Sequence, residues 1–169
     1  VATVLREGDE QDVAARALVP GDLVLLEAGT RVPADARVIE AVNLKIEEAA
    51  LTGESLPAKK STDALTDADL AVADRNNMVY AGTSVSYGRG SAVVVATGMG
   101  TEFGAIVRLL QGARAIANSD PAVGGSAGVH LARVLEQEGL AAMFKARSLP
   151  QQSGVEVARR VVEGKAEFG

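Results

Sequence analysis

Between residues 3 and 97 the apolar residues come in short runs of Val, Leu, Ile and Ala, and turn residues interrupt them at close spacing. Brief β-forming runs alternating with Gly, Pro and Asp are the pattern of a β-sandwich or barrel. Residues 3–6 lead into the turn Glu7-Gly8-Asp9, and Pro20-Gly21-Asp22 marks a turn before residues 23–26. Ala28-Gly29-Thr30 and Pro33-Ala34-Asp35 punctuate again. Further strands are expected over residues 36–41, 44–47, 78–80, 83–87 and 92–97, with a polar loop across 57–75. The β-branched content of 92–97 suits a buried strand.

One helix closes this part. Thr101 is placed to cap it, and Glu102 falls in the first turn, where the helix dipole favours an acid. Phe103, Ile106, Val107 and Leu110 recur at i, i+3, i+4 and i+7 and give it one apolar face. The composition then shifts, with a boundary near residues 111–114. Asn118-Ser119-Asp120-Pro121 and the small residues Gly124-Gly125-Ser126-Ala127-Gly128 open a second segment. A helix to about Glu138 is expected there, ended by Gly139. Another is expected over 155–163, with Val155, Ala158, Val161 and Val162 on one face and Gly164 as its stop.

Composition excludes several functions. Aromatics make up 3% and tryptophan is absent, which removes the stacking residues of a single-strand nucleic-acid binder. Residues 1–111 hold 10 Lys/Arg against 16 Asp/Glu, and residues 112–169 hold 7 against 6, so no basic stripe marks a nucleic-acid surface. With no cysteine and a single histidine, His130, neither a thiolate nor a multi-histidine metal site can form. No apolar run approaches the ~20 residues of a membrane span. Arg6, Glu7, Asp9 and Glu10 fall where the apolar core of a signal peptide would lie. Both ends of the chain read as cut.

The segment Glu47-Glu48-Ala49-Ala50-Leu51-Thr52-Gly53-Glu54-Ser55-Leu56-Pro57 holds the densest chemistry. Taken alone, Thr-Gly-Glu-Ser is a turn with a polar rim. Its neighbours carry more. Pro20-Gly21-Asp22 and Arg31-Val32-Pro33-Ala34-Asp35 precede it, Asn77-Met78-Val79-Tyr80-Ala81-Gly82-Thr83 follows, and a segment from Val94 to Gly104 containing Thr97-Gly98-Met99-Gly100-Thr101 comes last. This ordered series resembles the actuator domain of P-type ATPases, nearest to the calcium and other cation pumps, in register over residues 1–111. Ala50 departs from the family pattern, which usually has serine there, and a modest local effect is expected.

The resemblance implies a mainly β fold, a distorted jelly-roll or β-sandwich, with a small α/β or helical segment over residues 112–169. It also implies a task. These pumps form an aspartyl phosphate on another domain, and the Thr-Gly-Glu-Ser loop swings in to promote its hydrolysis. On that pattern Glu54 orients and deprotonates the attacking water, Gly53 allows close backbone approach, and Thr52 and Ser55 supply hydroxyl and amide groups. The partners implied are the phosphorylation and nucleotide-binding domains and the membrane helices of the same pump, at the cytoplasmic face of a membrane. The pump's phosphorylated Asp-Lys-Thr-Gly-Thr motif is absent from this chain, as is any glycine-rich phosphate loop with its lysine. No cofactor is therefore expected here, and Mg²⁺ and ATP belong to other domains. Glu47 and Glu48 read as a solvated face, Lys59-Lys60 as a solvated charge pair, and Asp22 and Asp35 as residues that fix turns.

Residues 113–169 resemble part of a periplasmic solute-binding protein of the molybdate-binding kind. The residues that carry this are Ala115 to Pro121, Gly124 to His130 and Val161 to Gly169. Small residues opening a helix expose amides at its positive end, so Ser126 and Ala127 could hold an oxyanion. A tight turn with a helix cap and no ligand is the plainer reading. The two families work on opposite sides of a membrane, so a non-catalytic chimera or an anion-binding module stands as the alternative.

Overall fold

The computed structural model describes residues 1–67, 69–112, 116–119, 136, 141–151, 154–163 and 166. Two compact units divide the chain, Val1–Ala105 and Ile106–Gly169. In the first, seven strands form one antiparallel sheet: β1 (Ala2–Arg6), β2 (Asp9–Val13), β3 (Leu23–Glu27), β4 (Asp35–Glu47), β5 (Ala58–Lys59), β6 (Met78–Val79) and β7 (Ser84–Ala96). Their order is β2-β1-β3-β7-β4-β5, with β6 also on β4. The mainly β fold expected from the punctuation is the fold that forms.

The first hairpin shows how local chemistry sets register. Arg6 faces Asp9, leaving Glu7 and Gly8 as a two-residue loop with φ of 55° and 93°. Two positive φ values in succession match the right-handed twist of the strands they join. Strand β2 itself escaped the sequence pattern. Asp9-Glu10-Gln11-Asp12 are all exposed, and an edge strand that buries almost nothing has no alternation to read. At Pro20-Gly21-Asp22 the expected turn forms. The Asp22 carboxylate accepts the Val19 amide at 2.9 Å and takes the Arg6 guanidinium at 2.9 and 2.6 Å. These contacts hold the Asp22 carboxyl below its ordinary value, the Arg6 hydrogen bonds first and the Val19 amide next.

Four expected strands prove to be two. Residues 36–41 and 44–47 belong to the single 13-residue strand β4, and all but the outer residues, 83 and 97, of the expected 83–87 and 92–97 belong to the 13-residue β7. The apparent breaks are bulges. Register shifts occur between Val38 and Glu40 and between Val42 and Lys45, and Asn43 has a φ of 53°. A bulge adds a residue and bends the ladder without ending it, so polar interruptions in sequence leave the strand continuous. Glycine makes the bend possible. A Cβ at Gly90 would overlap the carbonyl oxygen of Glu40, and one at Gly88 the Val42 and Asn43 carbonyls. The core lies under this sheet, with Val4, Val24, Leu26, Val38, Leu44, Ile46, Val85 and Val94 among its buried members.

Helix α1 (Ala49–Thr52) follows β4, and α2 (Glu102–Gly112) follows β7. Thr101 caps α2 as expected, accepting the Gly104 amide at 2.9 Å. A second cap comes from afar: buried Asp35 accepts the amides of Glu102 at 2.7 Å and of Ala81 at 2.8 Å. Asp35 therefore does more than fix its own turn. It satisfies one of the helix's orphan donors and ties it to the start of β4.

In the second unit β8 (Ile116–Ser119) runs parallel to β9 (Ser148–Gln151), with α3 (Ala141–Arg147) before β9 and α4 (Gly154–Val162) after it. Val157 is buried and Val161 packs beside it, whereas Val162 is 88% exposed. The inward face of α4 therefore excludes Val162, contrary to the helical-wheel reading. The helix expected to end near Glu138 lies, but for Glu136, outside the described residues.

Two outcomes are expected. Gly90→Ala should lower stability to urea by about 1–3 kcal/mol, because an added Cβ must displace backbone rather than a flexible side chain. Asp22→Asn should lower stability at neutral pH. A carboxylate with a lowered folded-state pKa contributes fully above its unfolded value, near 3.8. The gap between the two proteins should narrow as pH falls from there through the folded value, which urea titrations across that range would measure.

Candidate functional site

The Thr52–Ser55 loop projects between the end of β4 and the start of β5. Its path follows from α1, a single helical turn. Gly53 ends that turn with φ of 75°, the left-handed conformation that costs an L-residue most and glycine least. The Gly53 amide bonds the Ala49 carbonyl at 3.0 Å. The Thr52 hydroxyl donates to the Glu48 carbonyl at 3.1 Å and accepts the Glu54 amide at 3.2 Å. Thr52 is thus engaged in shaping the loop. Glu54 and Ser55 are exposed, and Leu56 is 82% exposed. Among the described residues the Glu54 carboxylate makes no hydrogen bond or ion pair, so an exposed carboxylate stands open on a loop with a braced backbone.

Beneath the loop lies a feature that the charge pattern concealed. Glu48 and Lys60 are both 2% exposed, and the Lys60 Nζ stands 2.6 Å from the Glu48 Oε1. This corrects two expectations. Glu48 does not line a solvated face with Glu47, which is exposed, and Lys60 is not a solvated partner of Lys59. Strand periodicity carried the signal. Leu44 and Ile46 point into the core, and Glu48 continues their parity, two residues on. Loss of hydration pushes the Glu48 carboxyl up and the Lys60 ammonium down, while each partner's charge opposes the other's shift. The nearby negative charge of Glu54 raises Glu48 further.

Tyr80 completes the cluster. Its ring lies 5.7 Å from the Lys60 Nζ, and its hydroxyl donates to the Val72 carbonyl at 3.3 Å. Burial pushes the Tyr80 phenol up to about 12. Tyr80 follows β6, which pairs with the start of β4, whereas Glu48 and Lys60 lie by its far end, so the cluster draws on both ends of that strand. A concavity of about 430 Å³ on β1 to β3, lined by Thr3, Glu10, Asp12 and Glu27 among others, contains none of the loop residues. Among the described residues no group of three His, Asp or Glu side chains is arranged to hold a metal ion, and no helix is long and apolar enough to cross a membrane. Ser126 and Ala127 lie outside the described residues.

Known proteins resemble this chain in sequence and fold. A family model described as the P-type ATPase actuator domain matches residues 1–111. The chain is 47% identical over 108 residues to calcium-transporting ATPase 1 of Schizosaccharomyces pombe, covering 64% of this chain and 12% of that protein. It is 50% identical over 116 residues to the probable cation-transporting ATPase F of Mycobacterium bovis, covering 69% of this chain and 13% of that one. Among solved structures, a zinc-transporting PIB-type ATPase superposes with a TM-score of 0.52 at 29% identity, over 65% of this chain and 16% of that one. None of these matches supports the solute-binding likeness of residues 113–169. The chain spans only about an eighth of the curated relatives' length. The family model covers residues 1–111, and the sequence and fold similarities agree with it, so this chain belongs to the P-type ATPase family and contains its actuator domain.

Proposed function

We propose that the Thr52–Ser55 loop meets the aspartyl phosphate of a separate phosphorylation domain and promotes its hydrolysis during cation transport. The observation that supports this most is the open Glu54 carboxylate on a loop whose backbone is held by Thr52 and Gly53. A carboxylate in that position orients a water and takes its proton as the water attacks phosphorus. Positioned general bases contribute about 10²–10⁴-fold, or roughly 3–5 kcal/mol of barrier. The exposed Ser55 hydroxyl and the loop amides are available to phosphoryl oxygens, whereas the Thr52 hydroxyl keeps the loop in shape. Counter-charge for the phosphoryl group comes from Mg²⁺ and the partner domain, which this chain does not contain. The partners on this reading are the phosphorylation and nucleotide-binding domains and the membrane helices of one pump, with the actuator at the cytoplasmic face. The alternative, a chimera or an anion-binding module built on residues 112–169, has no observation in its favour.

The test places residues 1–111 in an intact calcium pump of the family and follows decay of the radiolabelled phosphoenzyme. Glu54→Gln should slow decay by about 10²-fold or more while thermal unfolding stays unchanged. Decay at the wild-type rate would sink the assigned role. Gly53→Ala should cost about 1 kcal/mol of stability from left-handed strain alone, because no atom crowds its Cβ position, and should slow decay as the loop relaxes.

A further inference from the structure

Most buried polar side chains of the sheet domain are satisfied by backbone groups. Asp35 accepts two amides, Asn77 donates to the Asp63 carbonyl, Thr83 donates to the Tyr80 carbonyl, and Thr101 accepts the Gly104 amide. Glu48 and Lys60 differ. Neither the carboxylate nor the ammonium has any hydrogen-bond partner beyond their own contact among the described residues. A buried pair so poorly supplied contributes little to stability and is often replaceable by apolar residues without loss. Its position suggests another use.

Glu48 and Lys60 stand at the two ends of the excursion that carries the loop. The Lys60 amide bonds the Leu44 carbonyl at 2.9 Å, which fixes that end to β4. At the other end the Glu48 carbonyl accepts the amides of Leu51 at 2.9 Å and Thr52 at 3.0 Å, together with the Thr52 hydroxyl. Thr52 in turn receives the Glu54 amide. Lys60 is therefore linked to the backbone of Glu54 through Glu48 and Thr52 in sequence. We infer that the Glu48–Lys60 pair is a positioning clamp that closes the loop at its base and sets where the Glu54 carboxylate stands. The inference rests on the proposed role of Glu54 only for its consequence in the reaction. Glu48 and Lys60 are positioning residues, since neither reaches the surface where a phosphoryl group would arrive.

Amide hydrogen exchange on the 169-residue chain tests the clamp directly. The informative variant is Glu48→Gln/Lys60→Met, which removes both charges and keeps the side-chain lengths; Lys60→Met alone leaves a buried carboxylate unpaired and is the harsher change. In the double variant the amides of Thr52, Gly53 and Glu54 should exchange at least about 10-fold faster, while β4 and β7 amides stay within about two-fold of wild type. Loop amides at wild-type rates would overturn the inference. So would loop and sheet amides accelerating together, or failure of the double variant to fold, either of which makes the pair a requirement of the fold alone. Carried into the pump, the double variant should slow phosphoenzyme decay while phosphorylation keeps its rate. Wild-type decay in this variant with slow decay in Glu54→Gln overturns the clamp's part in the reaction. Wild-type decay in both overturns the role of Glu54 and leaves the exchange result standing.

Discussion

The antiparallel pairing of β4 with β7 is the constraint from which the sheet domain is built. Each strand runs 13 residues, and their ladder extends from Asp35 opposite Ala96 to Glu47 opposite Ser84. Strand β3 takes the free edge of β7, while β6 and β5 share the other edge of β4 at its two ends. A ladder that long must twist and bend to cover one core, and the bulges at Glu40 and Asn43 supply the bend. Gly88 and Gly90 lie across from those bulges because only a residue without a Cβ lets the two backbones pass so closely.

What the ladder holds at its ends is the functional consequence. At the Asp35 end, a buried carboxylate gathers the amides of Ala81 and Glu102, so the start of α2 is tied to β4. At the Glu47 end, β4 runs on into Glu48 and the single turn of α1. There the apolar parity of the strand delivers a charge into the core, and Lys60 meets it. Two long-range polar anchors thus act at opposite ends of one strand, and the exposed loop grows from the second. Burial weakens each charge of that second anchor, while their separation of 2.6 Å sustains both.

The chain's place among its relatives agrees with this division of labour. It matches only about an eighth of their length, and the matched part carries no phosphorylated motif of its own. The sheet braces the backbone of the loop on which the exposed Glu54 carboxylate stands. Braced backbone and open side chain are complementary here: the hydrogen bonds of Thr52 and the turn at Gly53 leave the Glu54 carboxylate itself unengaged among the described residues.

Much of this was legible in the residue order. Turns at Glu7-Gly8 and Pro20-Gly21 and the Thr101 cap follow from local backbone chemistry, which depends on neighbours a few positions away. The Thr-Gly-Glu-Ser loop and its companion motifs identified the family for the same reason, being short and ordered along the chain. Edge strand β2 was missed because nothing in it is buried. Bulges made two strands look like four, since a bulge and a turn share the same residues until a partner strand is seen. The sequence by itself determined the sheet-forming character, the turns and the Thr-Gly-Glu-Ser loop with its companion motifs. Only the tertiary structure decided that Glu48 and Lys60 are a buried pair and that Asp35 caps a helix 67 residues away. Charge on a side chain is written in the sequence, but its hydration is set by what the rest of the chain packs around it.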